Sequence, residues 1–178
     1  MAIEIIFKAI ERTGAAKEHW EQAKKHHDKA FDLRPAGKDE YAKAIAEYSE
    51  VIKLLPNDAE SYVCRGYCYS GLEQLEKELD EYSKAISLEP QNGGLYFPTR
   101  YKTYLKLGET EKAIADVEKA VELAGTDETT IAICYYGLGL NIEELTGDKR
   151  TAAVYYKKCV EHGDNHGAAQ RKLDKWGM

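Results

Sequence analysis

The sequence has no long hydrophobic run, and it is poor in the residues that mark several common protein classes. Its 178 residues include only four cysteines, four prolines, two methionines and two tryptophans. No stretch approaches the roughly 18 uninterrupted apolar residues that a membrane-spanning helix requires. Four cysteines in a chain of this length do not form the dense framework of a small secreted domain. The sequence therefore predicts a protein of a reducing compartment without a membrane span.

An excess of basic residues is also missing. The chain has 25 Lys and Arg against 31 Asp and Glu, which gives a formal net charge of -6 at pH 7. A general nucleic-acid binder needs a concentrated lysine and arginine surface, so no nucleic-acid partner is predicted. Near the amino terminus Glu4 and Lys8 interrupt the apolar residues, and no small-residue cleavage site follows. A signal peptide is therefore not predicted, and the expected location is the cytoplasm.

The sequence motifs of common enzyme classes are absent as well. There is no glycine-rich phosphate loop, no nucleophile elbow and no metalloprotease helix. His162 and His166 are four residues apart, but Gly163 between them favours a break in the helix over a metal site. Cys64 and Cys68 would share one helical face, where their spacing suits packing better than a disulfide. The prediction is a non-enzymatic protein with no catalytic residues, no cofactor and no metal.

What the sequence does contain is an internal repeat. The segments EYSEVIKLLPND at 47–58 and EYSKAISLEPQN at 81–92 share six identical residues at a separation of 34. Helical periodicity runs through nearly the whole chain, and proline or glycine interrupts it at regular intervals. Such a period predicts stacked helical units rather than a single irregular core.

In this repeat the sequence resembles the tetratricopeptide repeat family, whose unit is two antiparallel helices of about 34 residues. The second repeat carries the resemblance through Tyr62, Arg65, Gly66, Tyr69, Leu72, Tyr82, Ala85, Leu88 and Pro90. The third repeat carries it through Phe97, Arg100, Tyr104, Leu107, Gly108, Ala113 and Ala120. The last repeat is similar to the Sel1-like variant, in which a glycine replaces the proline.

The resemblance implies an all-α fold, namely a right-handed superhelix, or α-solenoid, of stacked antiparallel helix hairpins. About three to four repeats are expected, with a capping helix at each end. The predicted single domain, residues 1–178, divides into an amphipathic helix at 1–14, an atypical repeat at 17–56, repeats at 57–90 and 91–125, a Sel1-like repeat at 126–163 and a capping helix at 164–178. Ile3, Ile6, Phe7 and Ile10 form the apolar stripe of the first helix.

Local signals also predict how some helices begin. Asp39, Asp58 and Asn92 are predicted helix caps, because their short side chains can accept hydrogen bonds from the first amides of a helix. Pro98 is expected in the first turn of its helix, where its missing N–H group costs little.

The family typically recognises a peptide or a partner helix on the concave side, which the first helix of each repeat lines. Transferring the inward-facing positions to this sequence predicts partner contacts at Val63, Tyr67, Pro98, Lys102, Leu105, Lys106, Tyr136 and Leu140. Tyr67, Tyr136 and Leu140 would anchor the ligand. Lys102 and Lys106 would pair with its acidic residues. The predicted function is that of a scaffold or adaptor.

Two alternative functions stay open. The amphipathic helix at 1–14 could dock on another copy and form a homodimer, or the chain could be a small secretion-type chaperone. A clamp for a partner's terminal carboxylate is disfavoured. In one register the clamp positions hold Val63, Tyr67, Thr99, Ile133 and Gly137, which cannot replace several converging cationic donors.

Overall fold

The structure is a computed structural model that describes residues 12–34, 36–164 and 166–178, with the backbone alone for residues 93–95. These parts of the chain form helices and turns without a strand. The helices are α1 (Gly14–Asp32), α2 (Lys38–Leu54), α3 (Ala59–Gly71), α4 (Leu75–Leu88), α5 (Gly93–Lys106), α6 (Thr110–Ala124), α7 (Glu128–Thr146), α8 (Lys149–Glu161) and α9 (Ala168–Trp176), with a 3-10 turn at Pro90–Asn92 before α5.

The predicted all-α fold of antiparallel helix hairpins is confirmed. The chain forms two compact units, one up to Leu88 with helices α1 to α4, and one from Glu89 with helices α5 to α9. In each unit the consecutive helices pair as hairpins, and in the second unit α9 packs against α8. The apolar stripe predicted for residues 1–14 lies outside the described residues, so self-association through it stays a prediction.

Small buried residues let the helices approach closely within each unit. Ala23, Ala30 and Ala44 have no exposed surface in unit 1, where they pack with Tyr41 and Tyr48. Three sets with the spacing i, i+4, i+7 are also buried: Ala44/Tyr48/Val51, Ala113/Val117/Ala120 and Ala152/Tyr156/Cys159. The small members let two backbones come together, and the larger member fills the space toward the neighbouring helix.

Two of the predicted helix starts are wrong. The residue before α2 is Gly37, and Asp39 lies inside the first turn rather than at the cap. A side chain at position 37 would collide with the backbone of Ala30, so the close approach of α1 requires glycine there. Pro98 is the sixth residue of α5 instead of lying in its first turn, because the 3-10 turn at Pro90–Asn92 leads directly into the helix.

Side-chain caps are made by other aspartates than those predicted. Asp127 accepts the backbone N–H of Thr130 at the start of α7, and Asp148 accepts two backbone N–H groups at the start of α8. Asn92 precedes α5 as predicted, but its side chain donates to Glu89 at 2.8 Å instead of capping the helix. The cap geometry therefore depends on the neighbours of each asparagine or aspartate as well as on its place before a helix.

Asp58, which precedes α3 as predicted, is used in a longer-range contact. Its carboxylate accepts two hydrogen bonds from the guanidinium of Arg12, both at 2.8 Å, and one from Ser61 Oγ at 2.6 Å. The same guanidinium donates to Glu60 at 2.8 Å and lies 3.5 Å from the ring centroid of Trp20. Through these contacts Arg12, just before α1, links the start of α1 to the start of α3.

Candidate partner-binding site

An apolar cleft opens between α5, α6 and α7 in the second unit; we call it the large cleft. Pro98 and Lys102 of α5 form one wall, and Ile133, Gly137 and Leu140 of α7 form the other. The cleft encloses about 490 Å³, which is within the usual range of ligand-binding cavities. It lies where the first helices of two successive hairpins face each other.

A hydrogen-bonded pair forms part of the cleft wall. Asn141 Nδ2 donates to the hydroxyl of Tyr101 at 2.9 Å and to the carbonyl oxygen of Gly137 at 2.7 Å. A Cβ added at Gly137 would lie 3.3 Å from that hydroxyl, so the glycine leaves room for this pair. Burial raises the pKa of Tyr101 to about 12, which keeps its hydroxyl neutral at physiological pH.

Among the described residues that line the large cleft, Lys102 alone carries a charge. Lys102 and Lys106 are one turn apart and exposed. Neither lysine takes part in an ion pair between described residues of this unit. Cys134 also lines the cleft, and burial raises the pKa of its thiol, which therefore stays protonated. The cleft is thus mainly apolar, with the Tyr101–Asn141 pair as a polar group in its wall and the charge of Lys102 at one edge.

A second apolar cavity lies along the adjacent face of α7, against the end of α8 and the start of α9; we call it the small pocket. Ala132 and Tyr136 of α7 and Cys159 of α8 contribute to it, together with Asp164 and Ala168 near the start of α9. It encloses about 190 Å³. Both oxygens of Asp164 accept backbone N–H groups from the first turn of α9, at 3.0 Å each, so this carboxylate serves as a helix cap.

Ile133 borders both cavities. Its side chain is 65% exposed, the largest exposed fraction among the exposed large apolar side chains of the described residues. Residues 130, 133, 137 and 140 follow one face of α7 into the large cleft, and residues 129, 132, 133 and 136 follow the adjacent face into the small pocket. The isoleucine therefore forms a ridge between the two cavities.

The predicted partner-binding residues of this unit occupy different places. Pro98, Lys102 and Leu140 line the large cleft. Tyr136 lines the small pocket instead, where its ring lies 5.8 Å from that of Tyr156. Lys106 is exposed and lies outside the lining of the large cleft.

Leu105, predicted together with these residues, is only 2% exposed and packs in the core of the second unit. A partner could reach it only if the core opened, so we leave it out of the proposed site. Its neighbour one residue later, Lys106, points to the exposed side because successive helical residues are rotated by about 100°.

The two predicted residues of the first unit, Val63 and Tyr67, border neither cavity. The ring of Tyr67 stacks on His27 with centroids 6.5 Å apart, and it meets Tyr82 edge-on at 5.8 Å. Tyr67 is nevertheless 42% exposed, and Val63 is partly exposed. Their role in partner binding stays a prediction.

Ile133 is not among the predicted partner contacts, because the predicted inner face steps 38 residues from Pro98 to Tyr136. The ion pairs Arg65–Glu81 and Arg100–Asp116 mark equivalent positions 35 residues apart, and the same step leads from Pro98 to position 133. The repeat period is therefore the signal in the sequence that points to Ile133.

Other candidate chemical groups have structural partners. His162 Nδ1 is 2.6 Å from Glu128, and no grouping of three potential metal ligands occurs among the residues that the structure describes. Burial raises the pKa of both Cys64 and Cys68 to about 12, so neither is an activated thiolate. Within the described ranges, no helix is both long and apolar enough to cross a membrane.

Comparison with known proteins identifies the repeats. The sequence profile of the tetratricopeptide repeat matches residues 59–92 and 102–127. The chain is 29% identical over 106 residues to the small glutamine-rich tetratricopeptide repeat-containing protein 2 of Saccharomyces cerevisiae, covering 57% of this chain and 30% of that protein. It is 33% identical over 82 residues to the Hsp70-Hsp90 organizing protein 3 of Arabidopsis thaliana, covering 46% of this chain and 13% of that protein.

The chain thus spans less than a third of the length of either relative. Among solved structures, a crystal structure of MamA matches with a TM-score of 0.64 at 21% identity, covering 89% of this chain and 82% of that one. This likeness shows the fold. A Sel1-like character of the last repeat has no counterpart in these matches.

Proposed function

The chain carries tetratricopeptide repeats over residues 59–92 and 102–127, and we propose that it is a non-enzymatic adaptor that holds a peptide or helix of another protein in the large cleft. One observation carries the proposal: the apolar cleft is edged by Lys102, a lysine that is exposed and outside every ion pair between described residues. Such a surface is suited to an amphipathic segment with acidic residues.

Apolar contact would supply most of the affinity. Burying one large apolar side chain contributes about 1.5–3 kcal/mol, and the cleft offers Pro98, Ile133 and Leu140 for this contact. Lys102 would contribute less to the affinity, because an exposed ion pair is worth about 0–1 kcal/mol. It would instead favour acidic segments and fix their orientation.

The relatives support recognition of proteins as the general role. One of them is named as an organizing protein of Hsp70 and Hsp90. A comparable role for this chain does not require the same partners, because the groups that line the cleft select the ligand.

The test is a quantitative affinity purification with the wild-type chain and with the double variant Ile133→Asp/Lys102→Glu. The variant places a charge in the apolar wall and reverses the charge at the edge. Both residues are exposed, so folding should be retained, which circular dichroism checks. We expect partner recovery to fall at least tenfold.

The matched control is Val154→Asp/Lys157→Glu, which makes the same two changes on exposed positions of α8. It should recover the partners at the wild-type level. Equal recovery by the wild type and both variants would exclude the large cleft as the binding site.

A further inference from the structure

We infer that the small pocket is an anchor site for one bulky apolar side chain, and that this side chain belongs to the same partner segment whose acidic residue faces Lys102. The inference rests on the proposed function of the large cleft. It assigns to the partner a spacing and a chemistry that the repeats alone do not specify.

The chemistry of the small pocket follows from its walls. Ala132 is 6% exposed and Cys159 is 3% exposed, so the inner wall is apolar and buried. Burial raises the pKa of Cys159 to about 11, which keeps the thiol neutral. Two further ionisable side chains line the pocket, Asp164 and the exposed His166, and both oxygens of Asp164 already cap α9. The buried inner wall of Ala132 and Cys159 therefore favours an apolar group.

The volume of the small pocket limits the size of that group. A buried apolar cavity of about 150 Å³ is large enough to bind benzene. The small pocket encloses about 190 Å³, so it can take one phenylalanine or leucine side chain but not a larger assembly. The large cleft, at about 490 Å³, has room for a longer stretch of the same ligand.

The shared residue Ile133 indicates that one segment occupies both cavities. It is 65% exposed on the face of α7 that separates them, so a ligand filling either cavity would also cover this side chain. A ligand that occupies both cavities would therefore bury the Ile133 side chain. An exposed isoleucine between two apolar cavities is the position at which a binding hot spot is expected.

The geometry of a helix sets the spacing within the partner. The two cavities lie on adjacent faces of α7 and meet at Ile133. We expect the two apolar side chains of the partner to lie roughly 10 Å apart, about the width of one helix, which corresponds to about seven residues along a helix or three along an extended chain. An acidic residue should accompany the apolar side chain on the large-cleft side, where Lys102 provides the charge.

The test uses a phage-displayed library of random 15-residue peptides selected on the wild-type chain. Selected peptides should carry two bulky apolar residues three or seven positions apart and at least one acidic residue. Synthetic peptides of these sequences are then titrated by isothermal calorimetry against Lys102→Glu, Thr129→Trp and Ala168→Leu. The last two variants fill the small pocket from its rim and from α9.

We expect the affinity to fall at least tenfold in each of the three variants and to stay unchanged in Val154→Asp, which alters an exposed residue of α8. Thr129 is exposed, so its variant should fold even if Ala168→Leu does not. A loss with Lys102→Glu but with neither pocket variant would overturn the inference and leave the proposed function intact. A loss with the pocket variants alone would show that the two cavities do not share a segment. Selection of no peptide, or of peptides insensitive to all three variants, would count against both.

Discussion

The guanidinium of Arg100 and the carboxylate of Asp116 form two hydrogen bonds across the α5–α6 hairpin, with Nε to Oδ2 at 2.9 Å and Nη2 to Oδ1 at 2.6 Å. The two side chains are 15% and 6% exposed. Arg65 makes the corresponding contact with Glu81 in the preceding hairpin, at 2.8 and 3.0 Å. The same cross-helix pair thus fixes how the two helices pack in successive repeats.

Removing one member of this pair should destabilise the second unit. We expect Arg100→Ala to lower the free energy of unfolding by about 3 kcal/mol, because it leaves the buried Asp116 carboxylate without its cation. Urea denaturation measures the change. Lys119→Ala is the matched control, since its ion pair with Glu122 is exposed and should contribute less than about 0.5 kcal/mol. Similar losses for the two variants would contradict a special role of the hairpin pair.

Gly37 should resist substitution because the backbone of α1 lies directly against it. Gly37→Ala would press a Cβ on the main chain of Ala30, which cannot move aside as a side chain could. We expect a loss of about 2–3 kcal/mol in stability, measured by thermal or urea unfolding. Ala46→Ser, at an exposed position of α2, should change stability by less than about 0.5 kcal/mol. If Gly37→Ala had wild-type stability, α1 and α2 could move apart at this point without a loss of stability.

Glu40 should contribute to the pH dependence of stability. Hydrogen bonds from Lys43, His26 and Lys29 lower the pKa of its carboxyl to about 2. The unfolded chain, with a glutamate pKa of about 4.3, takes up this proton first as the pH falls. The contribution of Glu40 is therefore complete above about pH 5 and is lost as the pH falls toward 2.

Melting temperatures measured from pH 6 to pH 2 test this contribution. The wild type should lose more stability over this range than Glu40→Gln, whose side chain does not titrate. Glu18→Gln, which changes an exposed residue of α1 outside the hydrogen bonds between described residues, should follow the wild type. Parallel curves for the wild type and Glu40→Gln would rule out the proposed linkage.

The helix α9 should stabilise the second unit as a cap. Leu173 is 3% exposed and belongs to the core of that unit, and Lys172 donates to Glu143 of α7 at 2.8 Å. We expect Leu173→Ala to cost about 3 kcal/mol, because it leaves a cavity under α9. Trp176 packs 5.7 Å from Tyr156, so tryptophan fluorescence can follow the release of the helix. Lys175→Ala, at an exposed position of α9, should leave both stability and fluorescence unchanged.

The proposed binding site is only partly predictable from the sequence. Lys102, Pro98 and Leu140 were placed correctly on the first helices of their hairpins, because the repeat fixes which helix each residue belongs to. The predicted inner face of α7 begins three residues after the position that the 35-residue step gives, so Tyr136 is predicted as a contact where Ile133 lines the large cleft. A shift of three residues keeps a helical residue on nearly the same face, so the helical periodicity cannot reveal it and only the repeat period can.

The sequence by itself determined the helices, their pairing into hairpins and the absence of recognisable catalytic motifs, because periodicity, stop residues and the 34-residue repeat are local properties of the chain. Only the tertiary structure decided that Leu105 lies in the core, that Tyr67 stacks on His27 and that α7 separates two apolar cavities. These features depend on the rotation of each helix against its neighbours. That rotation is set by side chains distant in sequence, and no local pattern encodes it.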